Sequence, residues 1–479
     1  MQRFGSMAIS FVSNIVLARL LTPDDYGVIG MLMIFIAVAN TFVDGGFGSA
    51  LIQKKEPTND DYSTIFWWNM FLSLIIYGVL YVSAPIIAQF YNLHILSDVL
   101  RVQGIILFIN ALGVVQQNQL RKQLRFKQLA SITVISAILS ACIAIYLAWN
   151  SWGVWSLVAQ QLLLSFFTTI LLWGLNRWWP SIVFSRKSFK QLFGFGGFIL
   201  ISNLINTICS NIQGLLIGKF FTPAILGYYS QARKLEDITS TSLSTVIDQV
   251  SYPILSMYQH NLRDLTIILK KLISIIAFVS IVLMGMLVTL AHPIILFLYT
   301  DKWLPSVPYL QILCMAGIAI SLQKIHYSAI ASIGKSKDLF IWTFIKRAAG
   351  LLIIIISMLL WGIKGLLWGC VANSWIILIV NAYLTSKHLG YKLLQQLIDV
   401  LPIIIISLIS YFIPLIFLNV LNFDIILKSI AHCLFFVITY VILSIIFRIN
   451  AYMQLKNIFK EYISEKYYNN RKQNIVVES

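Results

Sequence analysis

Ionisable side chains cluster inside a long apolar stretch near the middle of the chain: Arg233, Lys234, Glu236, Asp237 and Asp248. Such groups are costly to place in an apolar environment, so they usually face a cavity or a partner. In a helix, Arg233 and Asp237 are four residues apart and can pair on one face. Lys234 points about 100° away and is available to bind a phosphate or another anionic group. The alternative is that both cations extend to the lipid headgroups.

Carboxylates at three positions are candidates for binding a coupling ion or proton: Asp44, Glu236 and Asp248. Asp44 lies in the sequence D-G-G-F-G-S-A, whose glycines permit close helix approach. The alternative for Asp44 is a packing contact with a neighbouring hydroxyl. Further along, Lys324 and His326 lie in the sequence Q-K-I-H-Y. Both are predicted to line the floor of a cavity, and the alternative for Lys324 is extension to the headgroups.

Two cations occupy equivalent positions in two related stretches. Residues 17–27 are L-A-R-L-L-T-P-D-D-Y-G, and residues 217–227 are I-G-K-F-F-T-P-A-I-L-G. In each, an apolar helix ends in a cation and a Thr-Pro turn, and a glycine follows. Arg19 and Lys219 are therefore either anchors at the membrane interface or symmetric cations at the outer mouth of a cavity.

The correspondence continues and predicts an internal repeat. Residues 84–91, A-P-I-I-A-Q-F-Y, match residues 292–299, H-P-I-I-L-F-L-Y, at an offset of 208. Near Gly153 and Gly365 the offset is about 212. A slowly drifting offset is typical of small loop insertions between two copies of one unit. We therefore predict a duplicated half of about 190 residues, followed by an unduplicated tail.

The composition is that of a membrane protein. Hydrophobic residues make up 59% of the chain and charged residues 11%, and the mean hydropathy is +0.83. Soluble domains carry about 25% charged residues, so a sizeable soluble domain is excluded. The five cysteines are solitary and lack metal-ligand or CxxC spacing, so we expect no metal site and no disulfide. The sequence lacks HExxH, Walker A and GxSxG motifs, so we expect no ATP site and no cofactor.

About 20 mostly apolar residues are enough to span a bilayer as a helix. On this basis the sequence predicts an all-α polytopic membrane protein with about fourteen transmembrane helices, six in each repeat and two at the end. The predicted spans are 4–21, 27–51, 65–90, 99–118, 129–149, 153–175, 193–220, 226–256, 270–298, 307–333, 340–361, 365–385, 399–420 and 426–447.

The distribution of positive charge predicts the orientation. With a cytoplasmic N-terminus, the inward loops and both termini carry 26 of the 35 lysines and arginines, Lys346 and Arg347 among them. This asymmetry follows the positive-inside rule, so both termini are predicted to be cytoplasmic. The net charge of +17 is then topological and does not indicate nucleic-acid binding. Because six spans make up each copy, the repeats are parallel, and we expect two lobes around a central cavity.

The predicted organisation has four parts. They are an N-terminal six-helix lobe at 1–190, a C-terminal six-helix lobe at 191–397, two additional transmembrane helices at 398–447 and a basic cytoplasmic tail at 448–479. The first span begins almost at Met1 without a basic leader, so we expect the natural start to lie upstream. A signal peptide is not indicated.

Three motifs resemble the polysaccharide-transporter flippases of the O-antigen and exopolysaccharide type, within the multidrug/oligosaccharidyl-lipid/polysaccharide exporter superfamily. They are N-I-V-L-A-R-L-L-T-P-D-D-Y-G at 14–27, G-Y-Y-S-Q-A-R-K-L at 227–235 and W-L-P-S-V-P-Y-L-Q-I-L at 303–313. The resemblance covers nearly the whole chain. The D-G-G-F-G-S-A stretch is also similar to the acidic-Gly-small-Phe motif of the lipid II flippase.

The resemblance implies a fold, a substrate and a location. Members have two six-helix lobes around a cationic central cavity, and some have an extra helix pair, which the last two predicted spans match. They move undecaprenyl-diphosphate-linked oligosaccharides to the outer leaflet of the bacterial inner membrane by alternating access. This chain is thus expected to be a transporter and not an enzyme, serving surface polysaccharide or lipopolysaccharide biosynthesis. Expected partners are the lipid-linked oligosaccharide, membrane lipid, and a polysaccharide polymerase with its chain-length machinery; a monomer is expected.

A diphosphate is negatively charged and cannot cross hydrocarbon unaided. The candidate substrate-binding cations are Arg19, Lys219, Arg233, Lys234 and Lys324. Candidate sugar contacts are polar residues within the spans, among them Asn110, Gln116, Gln117, Gln160 and Gln161.

Two other functions are consistent with parts of the sequence. An ion-coupled multidrug exporter of the same superfamily prefers an acidic, aromatic cavity, and charge alone does not exclude it because internal acids and cations occur together here. A membrane enzyme, either a polysaccharide polymerase or a lipid-linked-sugar glycosyltransferase, needs a large outward loop with catalytic acids or arginines. The outward turns here are short and carry no such cluster. The order of the three motifs favours the flippase.

Overall fold

The computed structural model describes residues 2–420, 424–457 and 460–461. Within these residues the chain forms sixteen α-helices and no strand, so the predicted all-α class is confirmed. The helices are α1 (Gln2–Leu20), α2 (Pro23–Asp44), α3 (Phe47–Gln53), α4 (Asn59–Tyr91), α5 (Ile95–Gln103), α6 (Ile106–Lys122), α7 (Phe126–Trp149), α8 (Val154–Asn176), α9 (Arg186–Phe220), α10 (Pro223–Met257), α11 (Leu262–Thr289), α12 (Ala291–Tyr299), α13 (Val307–Ser332), α14 (Ser336–Leu389), α15 (Leu393–Val420) and α16 (Ile425–Ile446). A 3₁₀ turn, Asp301–Ser306, precedes α13.

The starts of α2 and α4 follow from the local sequence. Thr22 and Thr58 are the N-cap residues. The side chain of each threonine accepts a hydrogen bond from the backbone N–H of the aspartate three residues later, and the side chain of that aspartate accepts one from the backbone N–H of the threonine. Pro23 follows Thr22 at the first helical position, where an N–H would have no helical partner. A cap of this kind contributes about 1 kcal/mol relative to alanine. These caps fix where the two apolar helices begin.

The chain packs as two compact units. The first comprises Met1–Ser230 and Leu298–Trp303. Its apolar core includes a cluster around Phe47 and Ile65 and a second cluster around Leu17. Helices α1 to α9 and the first turns of α10 therefore belong to this unit.

The second unit comprises residues 231–297 and the described part of 304–479. Its main apolar cluster lies among α11, α13, α15 and α16 and includes Leu269, Ala329 and Tyr440. The last two predicted spans thus lie within the second unit.

Helix α14 is broken in its middle. Trp361 (φ −131°, ψ 19°) and Gly362 (φ 61°, ψ −142°) are not helical, and the positive φ at 362 favours glycine. A Cβ at Gly365 would lie 2.0 Å from the carbonyl oxygen of Ser357. The two halves of α14 therefore meet at backbone distance, and the helix provides two segments in place of one.

Eleven helical segments among the described residues are long and apolar enough to cross a membrane. One of them contains both halves of α14, and α1 has a shorter apolar part, residues 7–20. Helix α10, which contains the charged residues from Arg233 to Asp237 and many serines and threonines, is not among the eleven. This architecture is compatible with the fourteen predicted spans, although the count and the internal repeat remain predictions.

Two of the predicted boundaries fall inside helices. The boundary at 190/191 lies within α9, which begins at Arg186, and the boundary at 397/398 lies within α15. The boundaries were placed where the apolar residues begin, but a helix can extend beyond its apolar part because it satisfies its own backbone hydrogen bonds. Long side chains in that extension, such as that of Lys190, reach water. The division into two lobes stays a prediction.

Candidate functional site

Helix α10 carries the predicted charged residues in the second unit, here named the α10 cluster (Arg233, Lys234, Glu236 and Asp237). The predicted ion pair is confirmed: Arg233 Nε lies 3.1 Å from Asp237 Oδ1. The same Nε lies 3.8 Å from Glu236 Oε2. The side chains of Arg233 and Asp237 are 35% and 47% exposed, whereas that of Glu236 is fully buried. One guanidinium therefore contacts an exposed carboxylate and a buried one.

The Glu236 carboxyl group is fully buried, with the Arg233 guanidinium as its neighbouring cation. Within the described residues, neither of its oxygens has a hydrogen-bond partner. A Cβ at Gly317 would lie 2.7 Å from Glu236 Oε1 and 2.6 Å from Met284 Cε. Glycine at 317 thus leaves the space that the carboxyl group occupies beside α11 and α13. Because a buried charge without donors is costly, this group is suited to taking up a proton or a small cation.

Lys234 lies on another side of α10 and is half-buried. Among the side chains that the structure describes, it has no hydrogen-bond or ion-pair partner. An ammonium group has three donors and no acceptor, so Lys234 keeps three donors for an anionic group. Within about one turn of helix, the α10 cluster thus combines Lys234, a cation that is available to bind an anionic group, with the buried carboxyl group of Glu236.

Arg19 and Lys219 lie in the first unit, and both bind backbone carbonyls. Arg19 Nε donates to the carbonyl oxygen of Leu298 at 3.0 Å. Lys219 Nζ donates to that of Phe90 at 2.5 Å and lies 4.2 Å from the centre of the Phe90 ring. Leu298 and Phe90 are in the last turns of α12 and α4, whose final carbonyls lack helical partners. The two cations cap helix C-termini here, and substrate binding by them stays a prediction.

Asp44 is the last residue of α2, and its side chain is exposed. Gly45 and Gly46 follow with φ of 57° and 70°, and α3 begins at Phe47. A carboxylate at the negative end of a helix dipole is unfavourable by about 0.3–1 kcal/mol, so helix stability does not account for Asp44. The side chain of the third acidic candidate, Asp248, lies outside the described residues.

The two candidates on α13 have different environments. Lys324 is half-buried and remains a candidate cation. His326 is 3% exposed, and its Nδ1 lies 3.0 Å from Thr385 Oγ1. The prediction that His326 lines the floor of a cavity is wrong, because this hydrogen bond holds the ring in the core between α13 and α14.

Lys346 is a buried cation that was not among the predicted site residues. Its assignment to an inward loop is wrong: it lies in α14, is 8% exposed and donates from Nζ to Asn381 Oδ1 at 2.6 Å. Asn381 Nδ2 donates in turn to the carbonyl oxygen of Gln323 at 3.4 Å. The available signal was the position of Lys346 within the predicted span 340–361. Within the described residues, no group of three or more His, Cys, Asp or Glu side chains could hold a metal ion.

Two of the polar residues predicted as sugar contacts bind other polar side chains in the first unit. Asn110 Nδ2 donates to Asn40 Oδ1 at 2.8 Å, and Gln160 Nε2 donates to Ser13 Oγ at 2.8 Å. These bonds join α2 to α6 and α1 to α8. Their first role is therefore to link helices, and contact with a sugar stays a prediction.

Comparison with known proteins identifies the family. Residues 16–308 match the family described as polysaccharide biosynthesis protein. The teichuronic acid biosynthesis protein TuaB of Bacillus subtilis (strain 168) is 31% identical over 306 residues, which are 64% of this chain and 63% of TuaB. The succinoglycan biosynthesis transport protein ExoT of Rhizobium meliloti (strain 1021) is 22% identical over 375 residues, 78% of this chain and 76% of ExoT. The chain thus matches less than two thirds of the length of TuaB.

Among solved structures, the lipid II flippase MurJ in an inward closed conformation shares the fold. The TM-score is 0.73 at 15% sequence identity, and the match covers 93% of this chain and 98% of that chain. At this identity the likeness concerns the fold alone, that of a multi-pass membrane protein. The family match covers more than half of the sequence and confirms the predicted resemblance. The chain therefore belongs to the polysaccharide biosynthesis protein family.

Proposed function

We propose that this protein is a flippase that moves undecaprenyl-diphosphate-linked oligosaccharides from the cytoplasmic to the outer leaflet by alternating access. Family membership and the similarity to the transport protein ExoT support a transporter and not an enzyme. The observation that carries the proposal is the half-buried Lys234, with no partner among the described residues, beside the Arg233–Asp237 pair. A half-buried cation with three free donors is suited to an anionic substrate.

The diphosphate needs positive charge along its route. A hydrogen bond to a charged group contributes about 1.5–3 kcal/mol, or about 10- to 100-fold in affinity. Lys234 is the first phosphate contact in this conformation, because Arg19 and Lys219 are engaged by carbonyl oxygens. Arg233, Lys324 and the two capping cations bind the substrate in other conformations of the cycle.

Transport is driven by an ion or proton gradient, and three carboxylates are the coupling candidates. Glu236 is the foremost, because it is buried without a hydrogen-bond donor among the described residues. Asp44 is the second, because it is exposed at the break between α2 and α3. Asp248 is the third, on its sequence position alone.

The protein acts in the bacterial inner membrane with both termini in the cytoplasm. The excess of lysine and arginine in the predicted inward loops supports this orientation. It acts as a monomer and passes its product to a polysaccharide polymerase with its chain-length machinery. Membrane lipid surrounds its apolar helices.

The proposal is tested in a strain that lacks the gene and carries Lys234→Gln, which removes the charge and keeps most of the volume. We expect undecaprenyl-linked repeat units to build up at the cytoplasmic face, and surface glycan to fall about 10-fold or more. The matched control is Lys127→Gln, because Lys127 is exposed in the first turn of α7. Cells with this control should make normal amounts of glycan.

Protein levels are compared in each strain. Normal glycan in Lys234→Gln cells at equal protein level would contradict the role of Lys234. Normal glycan in the gene deletion, without accumulation of lipid-linked oligosaccharide, would contradict the flippase function itself.

A further inference from the structure

The first turns of α2 and α10 lie against each other at backbone distance. A Cβ at Gly27 would lie 1.9 Å from the carbonyl oxygen of Pro223, and a Cβ at Gly227 would lie 2.0 Å from that of Pro23. No side chain fits at either glycine. Adding 200 to the residue numbers of one contact gives the residues of the other, because Pro23 corresponds to Pro223 and Gly27 to Gly227. Each helix therefore presents equivalent residues to the other. All four residues belong to the first unit.

The helices that precede these turns, α1 and α9, each end in a cation that binds a helix of the other predicted copy. Arg19 ends α1 and caps α12 at Leu298, whereas Lys219 ends α9 and caps α4 at Phe90. Phe90 and Leu298 are equivalent at the offset of 208. Each predicted copy therefore caps a helix of the other. Lysine and arginine are favourable at helix C-termini, because the last carbonyls have no helical donors.

The Arg19 contact is reinforced. Lys302 Nζ donates to the carbonyl oxygen of Arg19 at 2.7 Å, and the indole of Trp303, fully buried, donates to that of Ala18 at 2.8 Å. Under the offset of 208 the equivalent residues, 94–95, are histidine and isoleucine. They carry neither an ammonium nor an indole group. Lys219 has the face of the Phe90 ring at 4.2 Å, which contributes about 0.5–1 kcal/mol at an exposed site, against two further donors beside Arg19 that contribute about 0.5–1.5 kcal/mol each. The Lys219 contact is therefore the weaker of the two.

We propose that Gly27, Gly227, Arg19 and Lys219 form a latch that closes one mouth of the transport route and separates once in each transport cycle. The proposal rests on the transport function proposed above. At Gly27 and Gly227 the crossing is made by backbone atoms alone, so these two contacts can part without moving a side chain. Both cations are exposed, so each can exchange its carbonyl oxygen for water at small net cost. In the proposed orientation the latch closes the outer mouth, and the Lys219 contact opens first.

A buried residue at the crossing reports whether the latch is open. Leu226 is 1% exposed, and its Cγ would lie 3.0 Å from a Cβ at Gly30 of α2. The probe is Leu226→Cys, in a protein whose five native cysteines are replaced. Intact cells are treated with a membrane-impermeant maleimide, and the rate of labelling is measured.

Four variants are compared with the parent protein. Lys219→Met removes the donor and with it one cap, and should raise the labelling rate about 3- to 10-fold, which corresponds to the loss of one hydrogen bond. Arg19→Met should raise the rate less, and Lys219→Arg, which keeps a donor, should leave the rate at that of the parent protein. Gly27→Ala should raise it most. The control is Gly78→Ala, because no atom lies within 4 Å of a Cβ at Gly78.

Equal labelling rates in the parent protein, Lys219→Met and Gly27→Ala would overturn the latch, and so would an equally large effect of Gly78→Ala. Lys219→Met adds no bulk, so the test holds even where Gly27→Ala fails to fold. Labelling reports opening without measuring transport. If the latch proposal is wrong, the gene deletion still accumulates lipid-linked oligosaccharide, but the labelling rates do not differ. If the flippase function is wrong, the gene deletion does not accumulate lipid-linked oligosaccharide, but the labelling rates still differ.

Discussion

Removing Arg233 should destabilise the protein because Glu236 would remain buried without a countercharge. At 3.8 Å and an effective dielectric constant of about 20, the attraction between the two groups is about 4 kcal/mol. Arg233 is 35% exposed, so solvent screening reduces this to about 2 kcal/mol. We therefore predict that Arg233→Gln lowers the free energy of unfolding by about 2 kcal/mol at neutral pH.

Two further variants separate this effect from the loss of the exposed pair. Asp237→Asn removes the carboxylate 3.1 Å from Arg233, but Asp237 is 47% exposed, and exposed pairs contribute only about 0.2–1 kcal/mol. In the double variant Arg233→Gln with Glu236→Gln, the buried charge is also gone. Most of the lost stability should therefore return.

The assay is unfolding of each purified variant in the same detergent. The expected order of stability is the parent protein, Asp237→Asn, the double variant and last Arg233→Gln. Equal losses for Arg233→Gln and Asp237→Asn would refute the reasoning. A double variant no more stable than Arg233→Gln alone would refute it too.

Three other substitutions test the packing. Gly365→Ala should abolish folding or lower the free energy of unfolding by more than about 3 kcal/mol, because its Cβ would lie 2.0 Å from a carbonyl oxygen of the same helix. The control is Gly78→Ala, where the Cβ would enter open space, and its effect on stability in the same melting assay should be neutral or slightly favourable. Thr22→Val removes the cap of α2 and should cost about 1 kcal/mol in unfolding measurements. Asn381→Leu leaves the buried ammonium of Lys346 without this acceptor and should cost about 2 kcal/mol, more than Lys346→Met.

Features set by neighbours along the helix could be predicted from the sequence. The Arg233–Asp237 pair follows from four-residue spacing and is found at 3.1 Å. The Thr-Pro turn at residue 22 likewise predicts a helix start, because threonine caps and proline tolerates the first position. Long apolar runs were enough to indicate the helical membrane fold.

Features set by distant parts of the chain could not be predicted. The acceptors of Arg19 and Lys219 are backbone oxygens, 279 and 129 residues away, and a sequence pattern carries no sign of a particular carbonyl. Lys346 is buried because Asn381 faces it across the break in α14. The burial of Glu236 depends on the space left at Gly317 of another helix. Tertiary packing, and not helical spacing, decides each of these.

The proposed function is the movement of a lipid-linked oligosaccharide across a bilayer. It is tested most directly with purified protein in vesicles that contain a labelled undecaprenyl-diphosphate-oligosaccharide, by following the exposure of its glycan to a membrane-impermeant glycosidase. We predict faster transfer between leaflets than in protein-free vesicles, a roughly 10-fold slower rate with Lys234→Gln, and an unchanged rate with Lys127→Gln. Transfer no faster than in protein-free vesicles, with folded protein present and a gradient applied, would contradict the account.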